Sequence, residues 1–175
     1  MLYLIPAPAH RLALRLAHGV RRRWWTIRRP RLAGCRVLAL DAEGRVLLVR
    51  HSYGANHWML PGGGLKRGED AVAGARRELV EETGCALNWA VLIELREEGL
   101  HGAINAVNIV AGTTHDTPLA DGREIVEARF FDPQALPEFL APRYATRLPR
   151  WLTAATAARP GDAAAAPARP PEPTG

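Results

Sequence analysis

The chain has 175 residues, of which 47% are hydrophobic, and this is enough apolar material for one core of ordinary size. No apolar run is long enough for a transmembrane helix, and the opening residues 1–5 are too short for the hydrophobic part of a signal peptide. Cys35 and Cys85 are isolated in apolar contexts, which favours reduced core thiols over a disulfide. Composition therefore argues against a membrane-spanning or secreted protein, and we expect a cytoplasmic one.

Positive charge is concentrated at the start of the chain. Residues 1–33 contain eight arginines and no acidic residue, whereas the whole chain has a net charge of +5, so the remainder is net negative. Apolar residues recur at helical spacing in this segment, which predicts a basic amphipathic helical arm. They are Leu12, Leu16, Val20, Trp24 and Ile27. Three roles are open for the arm: packing against the domain, lying on an anionic membrane surface, or binding a nucleic acid such as RNA.

The rest of the chain predicts one domain over residues 34–157, followed by a disordered Pro- and Ala-rich tail over residues 158–175. Residues 36–41 and 45–50 read as two strands joined by a tight turn, and a short strand at 57–60 leads into a glycine-rich loop. Further strands are predicted over 89–97, 104–112 and 126–131, and helices over 135–139 and 144–157. This order of elements indicates an α/β fold.

The most informative segment is residues 63–85, which begins in the Pro-Gly-Gly-Gly run 61–64 and continues into a predicted helix ending at Gly84. Residues three and four apart share a helix face, so Glu78, Glu81 and Glu82 converge. The opposite face carries small apolar residues that would pack on a sheet. These residues are Ala71, Ala75 and Leu79.

Three converging carboxylates repel one another unless a cation lies between them. Oxygen-only ligands are typical of Mg²⁺ or Mn²⁺ sites. Arg77 lies beside the cluster and could pair with Glu69 or Glu82, which would fix the direction of the carboxylates. The segment therefore predicts an acidic metal site on a helix.

Residues 63–85 match every fixed position of the Nudix box. That pattern is a glycine, five residues, a glutamate, seven residues, Arg-Glu, an aliphatic residue, any residue, Glu-Glu, any residue, a glycine and an apolar residue. The closing apolar position is Cys85, which behaves as a small hydrophobe. The chain therefore resembles a Nudix hydrolase, and the resemblance extends over about residues 34–142.

The resemblance implies a Nudix-type α/β/α sandwich around a mixed sheet, and Mg²⁺- or Mn²⁺-dependent hydrolysis of a pyrophosphate bond in a nucleoside diphosphate linked to another moiety. It implies metal ligation by Glu78 and Glu82, and a role for Glu81 as a ligand or as the general base. A carbonyl of Gly62 or Gly63 is implied as a further ligand, and Arg77 as a residue that orients carboxylates.

A second likeness lies outside the box. Residues 124–131, read Glu-Ile-Val-Glu-Ala-Arg-Phe-Phe, resemble the segment that carries one more catalytic or metal-binding glutamate in many Nudix enzymes. Glu124 is the candidate for that role, as a ligand or as the base, and Glu127 is the alternate.

Substrate choice is less constrained by the sequence. Arg50, Tyr53 and His57 lie in a predicted loop and are suited to phosphate contact and base stacking, although the loop could also be a plain connector. Residues 86–116 contain neither the proline typical of ADP-ribose branches nor the tyrosine typical of dinucleoside polyphosphate branches. A small nucleotide, such as a nucleoside triphosphate or a nucleotide sugar, is the expected substrate.

Two alternatives stay open. Some Nudix-like domains are non-catalytic nucleotide sensors or scaffolds, but these usually lose glutamates of the box. The other alternative is a hydrolase that acts on RNA 5′ ends through the basic arm.

Overall fold

The computed structural model describes residues 31–53, 56–100, 103–122 and 124–160. These ranges form five strands and three helices: β1 (Arg31–Leu40), β2 (Val46–His51), α1 (Ala71–Thr83), β3 (Trp89–Leu100), β4 (Ala103–Thr113), β5 (Ile125–Phe131), α2 (Pro142–Ala145) and α3 (Leu148–Ala158). Within them, no helix is both long and apolar enough to cross a membrane. The predicted arm up to residue 30 and the predicted tail from residue 161 lie outside the described residues.

The strands form one mixed sheet in the order β3-β4-β1-β2-β5. β1 and β4 pair in parallel along their whole length, from Arg31 opposite Ile104 to Leu40 opposite Thr113. The other three pairs are antiparallel. β1 lies at the centre of the sheet and both of its faces are covered, which explains its nearly continuous apolar sequence.

Helices cover both faces of the sheet and produce two cores. On one face α1 packs over a core of the following buried residues: Cys35, Val37, Ala39, Leu47, Ala75, Leu79, Cys85, Leu87 and Val110. On the other face α2 and α3 pack over a second core, whose larger members are Leu38, Leu48, Trp58, Leu60, Ile109, Tyr144, Leu148 and Trp151. The expected α/β/α sandwich is therefore confirmed. Cys35 and Cys85 are free thiols in the first core, as expected.

Helix α1 begins and ends where its sequence indicates. The Asp70 carboxylate accepts hydrogen bonds from the N–H groups of Val72 and Ala73, at 2.9 and 3.0 Å, and so caps the N-terminus. Gly84 has a left-handed conformation with φ of 71° and closes the C-terminus. Both ends of the helix that carries the acidic residues are therefore fixed locally.

Several predicted elements differ from the structure. The helix predicted over 144–157 is divided into α2 and α3, and the strand predicted at 57–60 is reduced to isolated bridges at Trp58 and Met59. β1 begins at Arg31, five residues before the predicted start, because β4 offers a parallel partner over that whole length. The helix predicted over 135–139 is wrong, since this segment forms turns closed by Ala135 N–H to Asp132 O and by Leu140 N–H to Pro137 O. Pro137 has no N–H to donate and disfavours helical backbone at the residue before it, so a helix cannot continue through this segment.

Among the residues of α1, Leu79 should contribute most to the stability of this packing. It is fully buried, whereas its neighbour Val80 is 49% exposed. We expect Leu79→Ala to lower the free energy of unfolding by about 2–5 kcal/mol and Val80→Ala to change it by less than about 0.5 kcal/mol. Urea denaturation followed by circular dichroism measures both, and equal effects would contradict the packing described.

Candidate functional site

A glycine loop takes the place of a strand beside β1. Because β2 diverges from β1 after the turn, the edge of β1 is open along its first half, and residues 61–65 hydrogen-bond to it. The contacts are Val37 N–H to Pro61 O at 2.8 Å, Cys35 N–H to Gly63 O at 2.9 Å and Leu65 N–H to Ala33 O at 2.9 Å. The loop is therefore held alongside the N-terminal half of β1.

Two glycines bring this loop against the carboxylates of α1. Gly62 has φ of 133°, and a Cβ there would lie 2.4 Å from the Cys35 carbonyl oxygen, so only glycine fits. Its N–H donates to Glu82 Oε2 at 2.9 Å. A Cβ on Gly63 would lie 2.5 Å from Glu78 Oε2, which shows how closely that carboxylate approaches the loop.

Arg77 organises the exposed side of the cluster. Its Nε and Nη2 bind the two oxygens of Glu69 at 2.9 and 3.0 Å, a bidentate pair, and Nη2 also reaches Gly64 O at 3.1 Å. Its Nη1 donates to Glu78 Oε1 at 2.7 Å and to Glu81 Oε2 at 3.2 Å. Of the two partners expected for Arg77, the structure shows Glu69 and not Glu82.

Glu69 is held as a carboxylate by this contact. The Arg77 guanidinium and the Lys66 N–H both donate to it and lower its pKa to about 2. Arg77 is therefore anchored to the loop before the helix and can direct the carboxylates that follow it.

Burial has the opposite effect on the deeper glutamates. Glu82 is 6% exposed, and burial raises its pKa to about 8, with contributions from the charges of Glu124 and Glu78. Burial also raises the pKa of Glu78, against the effect of Arg77, and the charges of Glu81 and Glu124 add to it. Glu81 itself is 58% exposed and lies at the rim.

Glu124 joins this cluster from the far end of the sheet. Its backbone carbonyl accepts from Ser52 N–H at 2.8 Å, just before β5 begins, and its side chain accepts from the Tyr53 hydroxyl. Its charge raises the pKa of both Glu78 and Glu82, so it lies within electrostatic range of them. The alternate, Glu127, lies on β5 and pairs instead with Arg50 and Arg129.

The three residues predicted to contact substrate are placed differently from one another. Arg50 is part of β2, where it pairs with Glu127 and lies over the Trp58 ring at 5.6 Å. Tyr53 contacts Glu124, so it can position that carboxylate. His57 is half-buried, just beyond the short gap in the described residues at 54–55.

Sequence reasoning missed one positively charged side chain at this site. Arg36 lies on β1, and its Nη1 donates to Gly62 O at 2.8 Å and to Cys35 O at 3.1 Å. The signal available in the sequence was a single arginine beside a strand segment that is otherwise apolar.

The carboxylates are not arranged as ligands in this structure. Across the described ranges, no three Asp, Glu, His or Cys side chains stand in metal-binding geometry. Arg77 holds Glu78 and Glu81, and Glu82 accepts from Gly62 N–H. The carbonyls of Gly62 and Gly63 accept from Arg36 and from Cys35 N–H respectively.

A family model, the NUDIX domain, matches residues 30–154 of the chain. The chain belongs to the Nudix family. The resemblance seen in residues 63–85 is therefore confirmed, and the structure places that Nudix box on the glycine loop and helix α1.

Relatives with assigned names support the hydrolase class. The chain is 45% identical to the RNA pyrophosphohydrolase of Rhodopseudomonas palustris (strain BisA53) over 53 residues, which is 27% of this chain and 30% of that protein. It is 31% identical over 114 residues to a Bacillus subtilis (strain 168) protein provisionally named 8-oxo-dGTP diphosphatase, covering 62% of this chain and 72% of that protein. The protein is a Nudix hydrolase.

The fold agrees with that of a solved relative. The MutT Nudix hydrolase from Burkholderia pseudomallei superposes with a TM-score of 0.61 at 24% sequence identity, over 68% of this chain and 96% of that protein.

Glu82 should make the stability of the metal-free Nudix domain depend on pH. With its pKa raised from 4.5 to about 8, Glu82 keeps a proton in the folded protein over a range where the unfolded chain has released it. Stability should therefore fall as pH rises through this range. The side chain of Glu82→Gln cannot titrate. We expect the melting temperature of this variant to fall less than that of the wild type between about pH 5 and pH 8.

Thermal melts in EDTA, followed by circular dichroism, measure this difference. Parallel pH dependence in the two proteins would show that Glu82 does not carry the proton.

Proposed function

We propose that this Nudix hydrolase uses Mg²⁺ or Mn²⁺ to cleave a pyrophosphate bond in a nucleoside diphosphate linked to another moiety, with nucleoside triphosphates and nucleotide sugars as the substrate class. The observation that carries the proposal is the set of buried carboxylates pressed against the glycine loop. Burial and neighbouring acids raise the pKa values of Glu78 and Glu82. Too little positive charge therefore lies near these carboxyl groups to keep them ionised.

The residues present fit a divalent cation. Glu78, Glu82 and Glu124 supply oxygen donors from two directions, and the absence of a side chain at Gly63 leaves room for the Glu78 carboxylate. A bound cation would offset the repulsion that now raises their pKa values. We assign Glu78 and Glu82 to cation binding, with Glu124 as a further ligand or as the base.

When bound, the cation would polarise the phosphate oxygens and lower the pKa of the attacking water. The chain's own residues then have separate tasks. Glu81, at the exposed rim and 3.2 Å from Arg77, or Glu124, beside the Tyr53 hydroxyl, accepts the proton of the water. Arg77 keeps the carboxylates on the rim directed toward the loop.

The Nudix box builds only the pyrophosphate end of the site, so other loops must select the rest of the substrate. Arg50 is tied to Glu127 and covers Trp58, so a phosphate or base would have to compete with those contacts.

RNA 5′ ends are the second candidate. Two observations favour them: the eight arginines in residues 1–33, and the similarity of 53 residues to an RNA pyrophosphohydrolase. If the arm binds RNA, removing residues 1–30 should lower cleavage of 5′-triphosphorylated RNA and leave cleavage of nucleoside triphosphates unchanged. Equal losses on both would indicate that the arm packs against the domain.

The test of the function is phosphate and pyrophosphate release from a substrate panel, with Mg²⁺ or Mn²⁺, beside Glu82→Gln. The panel contains nucleoside triphosphates, nucleotide sugars, dinucleoside polyphosphates and triphosphorylated or capped RNA. We expect activity on one class and a loss of about 10²- to 10⁴-fold in the variant. A folded protein that cleaves nothing, but melts at a higher temperature with a nucleotide, would instead be a binding module.

Gly63 should be required for metal binding and not for folding. A methyl group there would occupy the position of the Glu78 carboxylate, a flexible side chain that can move away, whereas a methyl group on Gly64 meets nothing within 4 Å. We expect Gly63→Ala to weaken Mn²⁺ binding by about 10- to 100-fold, and Gly64→Ala to leave it unchanged within about twofold.

Free Mn²⁺ measured by electron paramagnetic resonance during a titration gives both affinities. Unchanged binding in Gly63→Ala would remove Glu78 from the proposed ligands.

A further inference from the structure

Arg36 lies on the opposite side of the glycine loop from the carboxylates. Its side chain is on the sheet face of the second core, although the neighbouring Cys35 and Val37 are fully buried on the α1 face. Its Nη1 binds Gly62 O at 2.8 Å and Cys35 O at 3.1 Å, so the guanidinium ties the loop to the backbone of β1.

Both polar groups of the Gly62 backbone are therefore held by hydrogen bonds. Its carbonyl accepts from Arg36, and its N–H donates to Glu82 Oε2 at 2.9 Å. Because peptide groups are planar, fixing the Gly62 carbonyl also fixes the direction of the Gly63 N–H and the path of the chain into Gly63. Gly63 is the residue whose backbone faces the Glu78 carboxylate.

The charge of Arg36 also supports the contact between Gly62 and Glu82. Its positive charge favours the ionised form of Glu82, which is otherwise disfavoured by burial. An arginine on one side of the loop and a glutamate on the other therefore hold Gly62 between opposite charges.

Tyr144 supports Arg36 from the C-terminal part of the chain. Tyr144 lies on α2 and is 3% exposed, and its hydroxyl lies close enough to interact electrostatically with the Arg36 guanidinium. Its ring packs beside Trp151 of α3, with ring centroids 6.1 Å apart. The closing helices therefore reach the glycine loop through one side chain.

We propose that Arg36, held by Tyr144, is a positioning residue that fixes the Gly62–Gly63 peptide so that Glu78 and Glu82 face one cation. The proposal rests on the function proposed above and adds to it a residue outside the Nudix box. The competing explanation is that Arg36 only stabilises the fold.

Two variants and a control separate these explanations. Arg36→Lys keeps the charge but cannot reproduce the geometry of the guanidinium. Tyr144→Phe removes only the hydroxyl. Arg45→Met is the control, because Arg45 pairs with Asp41 and Glu43 at the β1–β2 turn, away from the loop.

The first readout is Mn²⁺ affinity of the folded full-length protein, measured below the melting temperature of each variant. We expect Arg36→Lys to lose about 10- to 100-fold and Tyr144→Phe to lose less in the same direction, with Arg45→Met unchanged. Melting temperatures in EDTA give the cost to the fold alone. If both variants melt lower than the wild type but bind Mn²⁺ within twofold of it, Arg36 is structural and the proposal is overturned.

The second readout is the division between kcat and KM on the substrate that the panel identifies. Arg36 contacts backbone behind the loop, so we expect kcat to fall while KM for the nucleotide stays within about twofold. A rise in KM with unchanged kcat would make Arg36 a substrate contact and contradict the proposal. The Mn²⁺ readout needs no turnover, so it tests Arg36 even if the proposed hydrolysis fails.

Discussion

The burial of acidic side chains between helix α1 and the glycine loop is the constraint on which the rest of this structure depends. Glu82 is 6% exposed, and a carboxylate at that depth is costly unless donors or cations surround it. The Gly62 N–H and the charge of the Arg36 guanidinium behind it meet part of that demand at Glu82, and Arg77 donates to Glu78 at the rim. Their combined effect is incomplete, as the raised pKa of Glu82 shows.

This incompleteness is informative about function. A helix face selected only for stability would place Glu78 and Glu82 in water or pair each with its own cation. Here Arg77 is anchored first to Glu69 by a bidentate contact and only then reaches Glu78 and Glu81. In the function proposed above, a divalent cation would offset the negative charge that remains.

Much of this site could be predicted from sequence because it is local. The start and end of α1, the facing of Glu78 and Glu82, and the Arg77–Glu69 pair depend on residues within about one helix length. The two-sided core was also predictable, since the nearly continuous apolar sequence of β1 indicates a strand buried on both faces and the small residues of α1 indicate a face that packs on a sheet.

The parts that could not be predicted are contacts between distant segments. Tyr144 lies near Arg36 although more than a hundred residues separate them in the sequence, and no periodicity in either segment predicts this proximity. The early start of β1 depends on β4, whereas the helix predicted over 135–139 was wrong for a local reason, the proline at position 137. Glu124 was a candidate only through family resemblance, and its contact with Tyr53 emerged only from the fold.

The pairing of the glycine loop with β1 has a further consequence for solubility. Residues 61–65 cover backbone N–H groups of β1 that β2 leaves open, so the loop protects a central strand from pairing with another chain. Release of the loop would expose the N–H groups of Cys35 and Val37, two fully buried residues of a central strand. Substitutions that loosen the glycine loop would then be expected to lower the yield of soluble protein, besides any effect on the proposed site.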